Sequence, residues 1–260
     1  MSVDRATSGR KTTPWPERDG LLRSPALEAL GLVAAYTTRA LGTMAGAARA
    51  PDDPEGNRSA LAARLGFPAV VRVKQVHGDR VVRADGAAEP WPEADGLWSD
   101  RQGVLLGVAA ADCVPVLVAL PGGPIGAAHA GWQGTSLRIA GALVRELASR
   151  GAAPDRLIAA VGPSIGPCCY EVGEERVATI RARLGGDADA SLRRRDGRIV
   201  FDLWTANAEQ LRAAGVRAIE VAGLCTKCGG ADTWSYRGRA DRGEGMGLAV
   251  IGRPGRGHAA

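Results

Sequence analysis

The chain has 260 residues, of which 45% are hydrophobic and 23% charged, so it can bury a core and is neither disordered nor fibrous. Aromatic residues make up only 4%, which disfavours a protein that stacks single-stranded nucleic acid on aromatic side chains. The net charge of +5 is carried mainly by scattered arginines and favours anionic small molecules as ligands. The densest run, Arg193 to Arg195 with Arg198, is typical of a solvated turn, so we expect no nucleic-acid partner.

The polar ends of the chain suggest a simple domain organisation. The first twenty residues are polar, include two prolines and contain no apolar segment typical of a signal peptide. We therefore expect a flexible tail at 1–24, one domain at 25–253 and a second flexible tail at 254–260.

The most apolar stretch, 104–120, contains Asp112 and Pro115 and is too interrupted to cross a membrane. The chain has five cysteines, an odd number that argues against a disulfide framework. These features predict a cytoplasmic protein without a membrane partner. We expect a monomer or weak homodimer.

The spacing of apolar residues and of turn residues predicts strands that alternate or pair with helices, in an α/β or α+β fold. The predicted strands lie at 30–38, 70–75, 81–82, 104–110, 114–120, 125–129, 157–161 and 216–221. The predicted helices lie at 57–65, from 137 to about 151, at 174–184 and at 203–211. Thr135 or Ser136 is expected to cap the second of these helices, and Asp202 the last.

Two of the three histidines, His77 and His129, lie at predicted strand ends, as does Cys113. Two imidazoles and a thiolate suit Zn²⁺, and three protein ligands leave a fourth position, as in catalytic zinc sites. The long intervals between them match no local ligand spacing. Two other interpretations therefore remain: hydrogen-bonded structural histidines, or a Cys/His dyad in which an imidazole removes the Cys113 proton.

The other cysteines give a weaker signal. Cys225 and Cys228 have C-x-x-C spacing, but Cys168 and Cys169 are adjacent and form no second C-x-x-C pair. The pattern therefore favours buried structural thiols over a four-cysteine metal site. Arg39, after a predicted strand, and Arg58, at a predicted helix start, could each bind an anion by forked hydrogen bonds, although a lone arginine is more often a surface ion-pair partner.

Five strings stand out along the chain: KQVHG at 74–78, ADCVPV at 111–116, AHAGW at 128–132, GPSIGPCCYEV at 162–172 and WSYR at 234–237. Taken together they resemble the YfiH family, once labelled multicopper polyphenol oxidase or laccase-domain proteins and now associated with purine nucleoside phosphorylase activity. The similarity covers about 33–251.

The resemblance implies stacked mixed β-sheets flanked by helices and a zinc site at His77, Cys113 and His129. It also implies phosphorolysis of adenosine, inosine or methylthioadenosine, with adenosine deamination as a side activity. Asp112, beside one ligand, is then the candidate acid or base, or alternatively a hydrogen-bond partner of a histidine.

Asn57 and Arg58 match an Asn-Arg pair of the family, which makes them candidates for contact with nucleoside or phosphate. Arg39 is the third substrate-binding candidate. The family usually has arginine after Gly-Trp, where this chain has Gln133, and this departure bears on phosphate affinity more than on the metal site.

Three alternatives stay open. The first is a Cys/His amidase that edits peptidoglycan precursors, an activity that is also associated with the family. The second is a copper phenol oxidase, disfavoured because the chain has only three histidines and a multicopper cluster needs more. The third is a non-catalytic protein whose zinc is structural, with all four ligands from the protein.

Overall fold

A computed structural model describes residues 14–46, 53–86, 90–242 and 244–255. Its strands are β1 Glu17–Arg18, β2 Leu21–Arg23, β3 Val33–Thr37, β4 Val70–Val71, β5 Val81–Arg83, β6 Gly96–Ser99, β7 Leu105–Ala110, β8 Val114–Ala119, β9 Ile125–Ala130, β10 Ile158–Val161, β11 Leu192–Arg195, β12 Arg198–Phe201, β13 Ala218–Val221 and β14 Gly247–Gly252. Its helices are α1 Pro25–Glu28, α2 Pro54–Arg64, α3 Trp132–Ser136, α4 Ile139–Ser149, α5 Glu174–Leu184, α6 Leu203–Ala213 and α7 Arg239–Arg242.

The strands form two six-stranded mixed sheets and one hairpin. Sheet 1 has the order β1-β2-β3-β14-β7-β4, and sheet 2 has the order β13-β10-β8-β9-β6-β5. Most neighbours are antiparallel, but β4 pairs with β7, β5 with β6, and β10 with β13 in parallel. The expected α/β fold of mixed sheets flanked by helices is confirmed.

Alternation along the central strands explains how the two sheets stack. In β7, Leu106 and Val108 face a core shared with sheet 2, whereas Leu105 faces the opposite side of sheet 1. In β8, Leu117 faces the shared core and Val116 faces the helices on the far side of sheet 2. Successive strand residues point to opposite faces, so both sheets are apolar on both sides and lie between layers of helix.

Helices cover the outer faces of the sheets. Residues of α4, α5 and α6 share a core with the outer face of sheet 2, and residues of α2 share one with the outer face of sheet 1. The Asp202 side chain caps α6 by accepting a hydrogen bond from Thr205 N at 3.0 Å, as predicted. Among the described residues, no helix combines the length and apolar character needed to cross a membrane.

The strand predicted at 70–75 is shorter than expected. Regular pairing of β4 with β7 ends at Val71. Farther along β7, the side-chain amide of Gln75 replaces the backbone of a paired strand. It donates to Ala109 O and accepts from Ala109 N, both at 2.8 Å. A side chain therefore satisfies the β7 backbone where a paired strand was expected.

The helix predicted from 137 is α4, which begins at Ile139, and a separate short helix, α3, precedes it. Arg138 adopts a left-handed conformation with φ 65° between α3 and α4, and its guanidinium bonds to Leu184 O and Asp187. The predicted capping role of Thr135 and Ser136 was wrong, because α3 already begins after Gly131 and α4 has no side-chain cap.

The predicted N-terminal tail at 1–24 was wrong for 14–24. Residues 17–23 form the β1–β2 hairpin at the edge of sheet 1, and Trp15, Leu21 and Leu22 are buried. The turn at Asp19 and Gly20 uses positive φ angles of 53° and 76°, which let the two short strands pair. Residues 1–13 and 256–260 lie outside the described residues.

Candidate functional site

The fold brings His77, Cys113 and His129 together at one end of the core shared by the sheets. Their ligand atoms lie within 4.8 Å of one another, and the two imidazole rings are nearly perpendicular with centroids 4.8 Å apart. His129 belongs to β9 of sheet 2, Cys113 links β7 of sheet 1 to β8 of sheet 2, and His77 follows β4 of sheet 1. The cluster therefore lies at the junction of the two sheets.

Asp95 positions both histidines. This fully buried carboxylate bonds to His129 Nδ1 at 2.9 Å and accepts from the backbone N–H groups of Val76, His77 and Gly78 at 3.1, 3.0 and 2.6 Å. The bond at Nδ1 leaves Nε2 of His129 as the ring nitrogen available to a metal. The sequence did not reveal this residue, because Asp95-Gly96 has the composition of an ordinary turn.

The His77 backbone depends on this carboxylate. Its φ of 62° lies in the left-handed region, which is uncommon for a residue other than glycine. The three amide bonds to Asp95 hold the 76–78 turn in that conformation. His77 is exposed, Cys113 is partly buried and His129 is buried, so the cluster is reached from solvent on the His77 side.

The electrostatics favour a thiolate at Cys113. Burial alone raises the pKa of this thiol, but the charge of His129 and hydrogen bonds from both imidazoles outweigh burial and lower the pKa to about 6. Burial lowers the pKa of His129, but the Cys113 charge and the Asp95 hydrogen bond reverse this effect and raise it to about 9. These pKa values describe a thiolate beside an imidazolium, which is the form that a cysteine nucleophile needs. A thiophilic cation would bind the same thiolate and displace the proton of the His129 imidazolium.

Asp112 lies next to Cys113 but contacts a different part of the chain. Its carboxylate accepts hydrogen bonds from Thr226 Oγ1 at 2.6 Å, Ser235 Oγ at 2.7 Å and Arg237 N at 2.7 Å. The interpretation that Asp112 bonds to a histidine was wrong, since Asp95 has that role for His129. Asp112 fastens the 226–237 segment beside the cluster instead.

Asn57 and Arg58 hold the loop that follows β3. Asn57 Nδ2 donates to Thr43 O at 3.0 Å, and Arg58 donates to Met44 O at 2.8 Å. Met246 N in turn donates to Thr43 Oγ1, and β14 begins at the next residue, paired with the last residue of β7. The pair is therefore linked to the end of β7 that leads to Cys113.

Arg39 is linked to the cluster from another direction. Its guanidinium pairs with Asp232 at 3.0 Å and lies 5.1 Å above the ring of Trp234. The next residue, Ser235, donates to Asp112. Arg39 is therefore engaged as an ion-pair partner at the edge of the 226–237 segment.

Arg237 and Tyr170 complete the surroundings, and neither was predicted as a site residue. The exposed Arg237 guanidinium lies 5.1 Å above the Tyr170 ring, and the Arg237 amide is bound to Asp112. Burial, followed by the charge of Cys113, raises the pKa of Tyr170 to about 12. Arginine in the WSYR string could have been singled out, but only the fold places it beside Asp112.

The prediction that the remaining cysteines are buried structural thiols is confirmed for Cys225 and was wrong for Cys168 and Cys228, and the four lie together. The sulfur atoms of Cys168, Cys169, Cys225 and Cys228 lie within 4.8 Å of one another. Cys168 and Cys228 are exposed, and Cys225 is buried. Two adjacent cysteines, Cys168 and Cys169, can both point toward the Cys225–Cys228 pair when the chain turns tightly. The absence of a second C-x-x-C pair therefore did not exclude a four-cysteine cluster.

Comparison with known proteins establishes the family. The family model described as multi-copper polyphenol oxidoreductase laccase matches residues 34–253. The chain belongs to this family, the YfiH family. A relative from Deinococcus radiodurans named purine nucleoside phosphorylase is 44% identical over 246 residues, covering 90% of this chain and 93% of its own.

Two further relatives of this YfiH-family chain are informative, one by the activity in its name and one by its solved structure. A protein named adenosine deaminase RL5, from an unknown prokaryotic organism, is 42% identical over 138 residues, covering 52% of this chain and 53% of its own. The crystal structure of YlmD from Geobacillus stearothermophilus superposes with a TM-score of 0.81 and 36% identity, covering 92% of this chain and 98% of YlmD.

Proposed function

We propose that this chain is a zinc-dependent purine nucleoside phosphorylase with adenosine deaminase as a side activity. The observation that carries the proposal is the convergence of His77, Cys113 and His129, with His77 exposed to solvent and His129 held by a buried carboxylate. The name of the Deinococcus radiodurans relative supports the reaction class. The substrates would be a purine nucleoside, such as inosine, adenosine or methylthioadenosine, and inorganic phosphate.

The donor set fits zinc. One thiolate and two imidazole nitrogens are preferred zinc ligands, and three protein ligands leave a position for a water or a substrate atom. Zinc, when bound, would supply Lewis acidity and would lower the pKa of a coordinated water. A multicopper oxidase cluster is disfavoured, because the chain has only three histidines and such a cluster needs more. A single copper ion is the less favoured alternative to zinc at this site.

Each remaining residue has a role that its contacts suggest. Asp95 orients the imidazole of His129 and the turn that carries His77. Arg58 and Arg39 remain substrate-binding candidates, and we add Arg237 because it is exposed and its amide is bound to Asp112, the residue before Cys113. Phosphate attack on the ribose requires a cationic contact that stabilises charge in the transition state, and a forked guanidinium provides it.

Asn57 remains a substrate-binding candidate, because its side chain positions the loop that follows β3. Asp112 remains the candidate acid or base, although its carboxylate already accepts three hydrogen bonds. We therefore propose that Asp112 acts mainly by keeping Arg237 next to the cluster.

The decisive experiment is a product assay on the purified protein loaded with zinc. Incubation with inosine and phosphate should release hypoxanthine and ribose 1-phosphate, and a chelator should stop the reaction until zinc is restored. Absence of both products from inosine and from adenosine would reject the phosphorylase proposal. Activity on a peptidoglycan precursor that survives chelation would support the Cys113 amidase instead.

Adenosine deamination is the second candidate, favoured by the relative named adenosine deaminase RL5. Deamination needs water to attack C6 of the purine, whereas phosphorolysis needs phosphate to attack the anomeric carbon of the ribose. Adenosine without phosphate should therefore give inosine, and adding phosphate should divert the nucleoside to free base. Failure to form inosine would remove the deaminase activity without affecting the phosphorylase proposal.

Replacing Arg237 tests the proposed phosphate contact. Arg237→Met keeps the backbone amide that binds Asp112 but removes the guanidinium, so we expect KM for phosphate to rise ~10-fold or more, the value of a charge-assisted hydrogen bond. KM for inosine should change less. Arg198→Met is the matched control, because Arg198 is an exposed ion-pair partner of Glu171. Equal effects of the two variants would contradict the assignment.

Gly131 gives a test of the metal site that leaves every ligand in place. A Cβ at this position would lie 2.9 Å from Cys113 Sγ and 3.3 Å from His77 Cδ2. Gly131→Ala should therefore displace the ligands and lower zinc affinity ~10-fold or more, as measured by competition with a chromogenic chelator. Gly173→Ala is the control, because Gly173 also precedes a helix in extended conformation and a Cβ there meets no atom.

A further inference from the structure

The second cysteine cluster is built from two separate loops. Cys168 and Cys169 lie in the loop between β10 and α5, and Cys225 and Cys228 follow β13. Cys168 Sγ and Cys228 Sγ are 3.3 Å apart, and all four sulfurs lie within 4.8 Å of one another. The four sulfurs form one compact group rather than two separate pairs.

The backbone around Cys225 is arranged to stabilise a thiolate. Gly166 N donates to Cys225 Sγ at 3.3 Å, and the amides of Lys227 and Cys228 lie near the same sulfur. Amides aimed at a sulfur favour the thiolate, which is the form that binds metal.

Gly229 permits this tight turn. Its amide donates to Cys225 O at 2.7 Å, and a Cβ at Gly229 would lie 2.5 Å from that same oxygen. Only glycine lets the chain fold back so closely after Cys228. The turn therefore presents both of its sulfurs on the side where Cys168 and Cys169 lie.

We propose that Cys168, Cys169, Cys225 and Cys228 form a second metal site, which binds Zn²⁺ through four thiolates. Zinc–sulfur bonds of about 2.3 Å in a tetrahedron place the sulfurs roughly 3.8 Å apart, which the observed cluster accommodates with small adjustments. Four protein ligands fill the coordination sphere, so the site is structural. Binding releases the thiol protons to solvent and involves no change of oxidation state.

A metal ion at the four cysteines would also stabilise the cluster of His77, Cys113 and His129. Thr226, between the two cysteines of the turn, donates to Asp112 at 2.6 Å, and its amide donates to Ser164 O at 3.1 Å. A metal ion held by both loops would therefore fix the position of Asp112, the residue before Cys113. The second metal site does not depend on the proposed activity of the chain.

Metal analysis of full-length variants tests the proposal. Wild type, purified in reductant without chelator, should contain about two zinc ions per chain. The double variant Cys168→Ser/Cys228→Ser should contain about one, and so should His77→Ala/His129→Ala. Lys227→Ser, which changes an exposed residue inside the turn, should keep about two. The two cysteines chosen are exposed, so their replacement leaves the buried Cys225 in place.

Cobalt provides a second measurement. The His77→Ala/His129→Ala variant, stripped of metal and titrated with Co²⁺, should develop intense thiolate charge-transfer absorption that Cys168→Ser/Cys228→Ser in the same background lacks. Unchanged zinc content in Cys168→Ser/Cys228→Ser, or no cobalt signal, would overturn the site. So would recovery of the four cysteines as disulfides in the reduced preparation. Iron in place of zinc would overturn the choice of metal.

Discussion

Cys113→Ala should abolish zinc binding at the His77 cluster and lower phosphorolysis of inosine by at least ~100-fold. Removing a thiolate leaves two neutral nitrogen ligands, which hold zinc weakly. A bound metal supplies several kcal/mol of transition-state stabilisation, and each 1.4 kcal/mol is about tenfold in rate. The measurements are zinc content, and release of hypoxanthine over a range of zinc concentrations.

Cys113→Asp separates the role of ligand from that of nucleophile. A carboxylate can bind zinc but cannot act as a thiol nucleophile, so with excess zinc this variant should recover part of the activity that Cys113→Ala loses. Full activity of Cys113→Ala would contradict the metal-site proposal. A Cys113→Asp variant that binds zinc but is as inactive as Cys113→Ala would point to the nucleophile interpretation.

Asp95→Ala should be the most destabilising replacement near the site. It leaves the His129 ring and the amides of Val76, His77 and Gly78 without their shared acceptor, and breaking such a buried charged contact costs about 3–5 kcal/mol. The left-handed backbone of His77 would lose its support as well. Zinc affinity should fall ~10- to 100-fold, the usual effect of removing a carboxylate that orients a ligand.

Denaturant unfolding and metal competition measure the two effects separately. Asp100→Ala is the control, because Asp100 pairs with Arg83 on the surface at 2.7 Å with both side chains about half exposed, and such pairs contribute at most ~1 kcal/mol. Asp95→Asn should retain part of the amide contacts and unfold between wild type and Asp95→Ala. If Asp95→Ala were as stable as Asp100→Ala, Asp95 would not position the histidines.

Elements with strong local signals were predictable from the sequence. Helix α5 spans the predicted 174–184, and α6 begins after its predicted cap, Asp202, because apolar spacing and capping act within a few residues. His77, Cys113 and His129 could be selected because histidines are rare and the surrounding strings resemble a family. Their convergence depends on strand pairing between distant segments.

The missed features depend on contacts that local sequence does not encode. Asp95 can orient His129 only because β6 pairs with β9 and brings the Asp95 carboxylate to the His129 ring. The break at Arg138 depends on the carbonyl of Leu184, 46 residues away. The cysteine cluster likewise depends on the parallel pairing of β10 with β13, which brings the loops after these strands together.

The position of the first cluster between the two sheets bears on how long the protein persists in a cell. An ion bound there would join His77, which follows sheet 1, to His129 of sheet 2, and would bind the folded chain far better than an unfolded one. Free zinc at a thousandfold excess over its dissociation constant would add about 4 kcal/mol of stability. Chains made during zinc scarcity would open more often and be degraded faster, so abundance of the protein would follow metal supply.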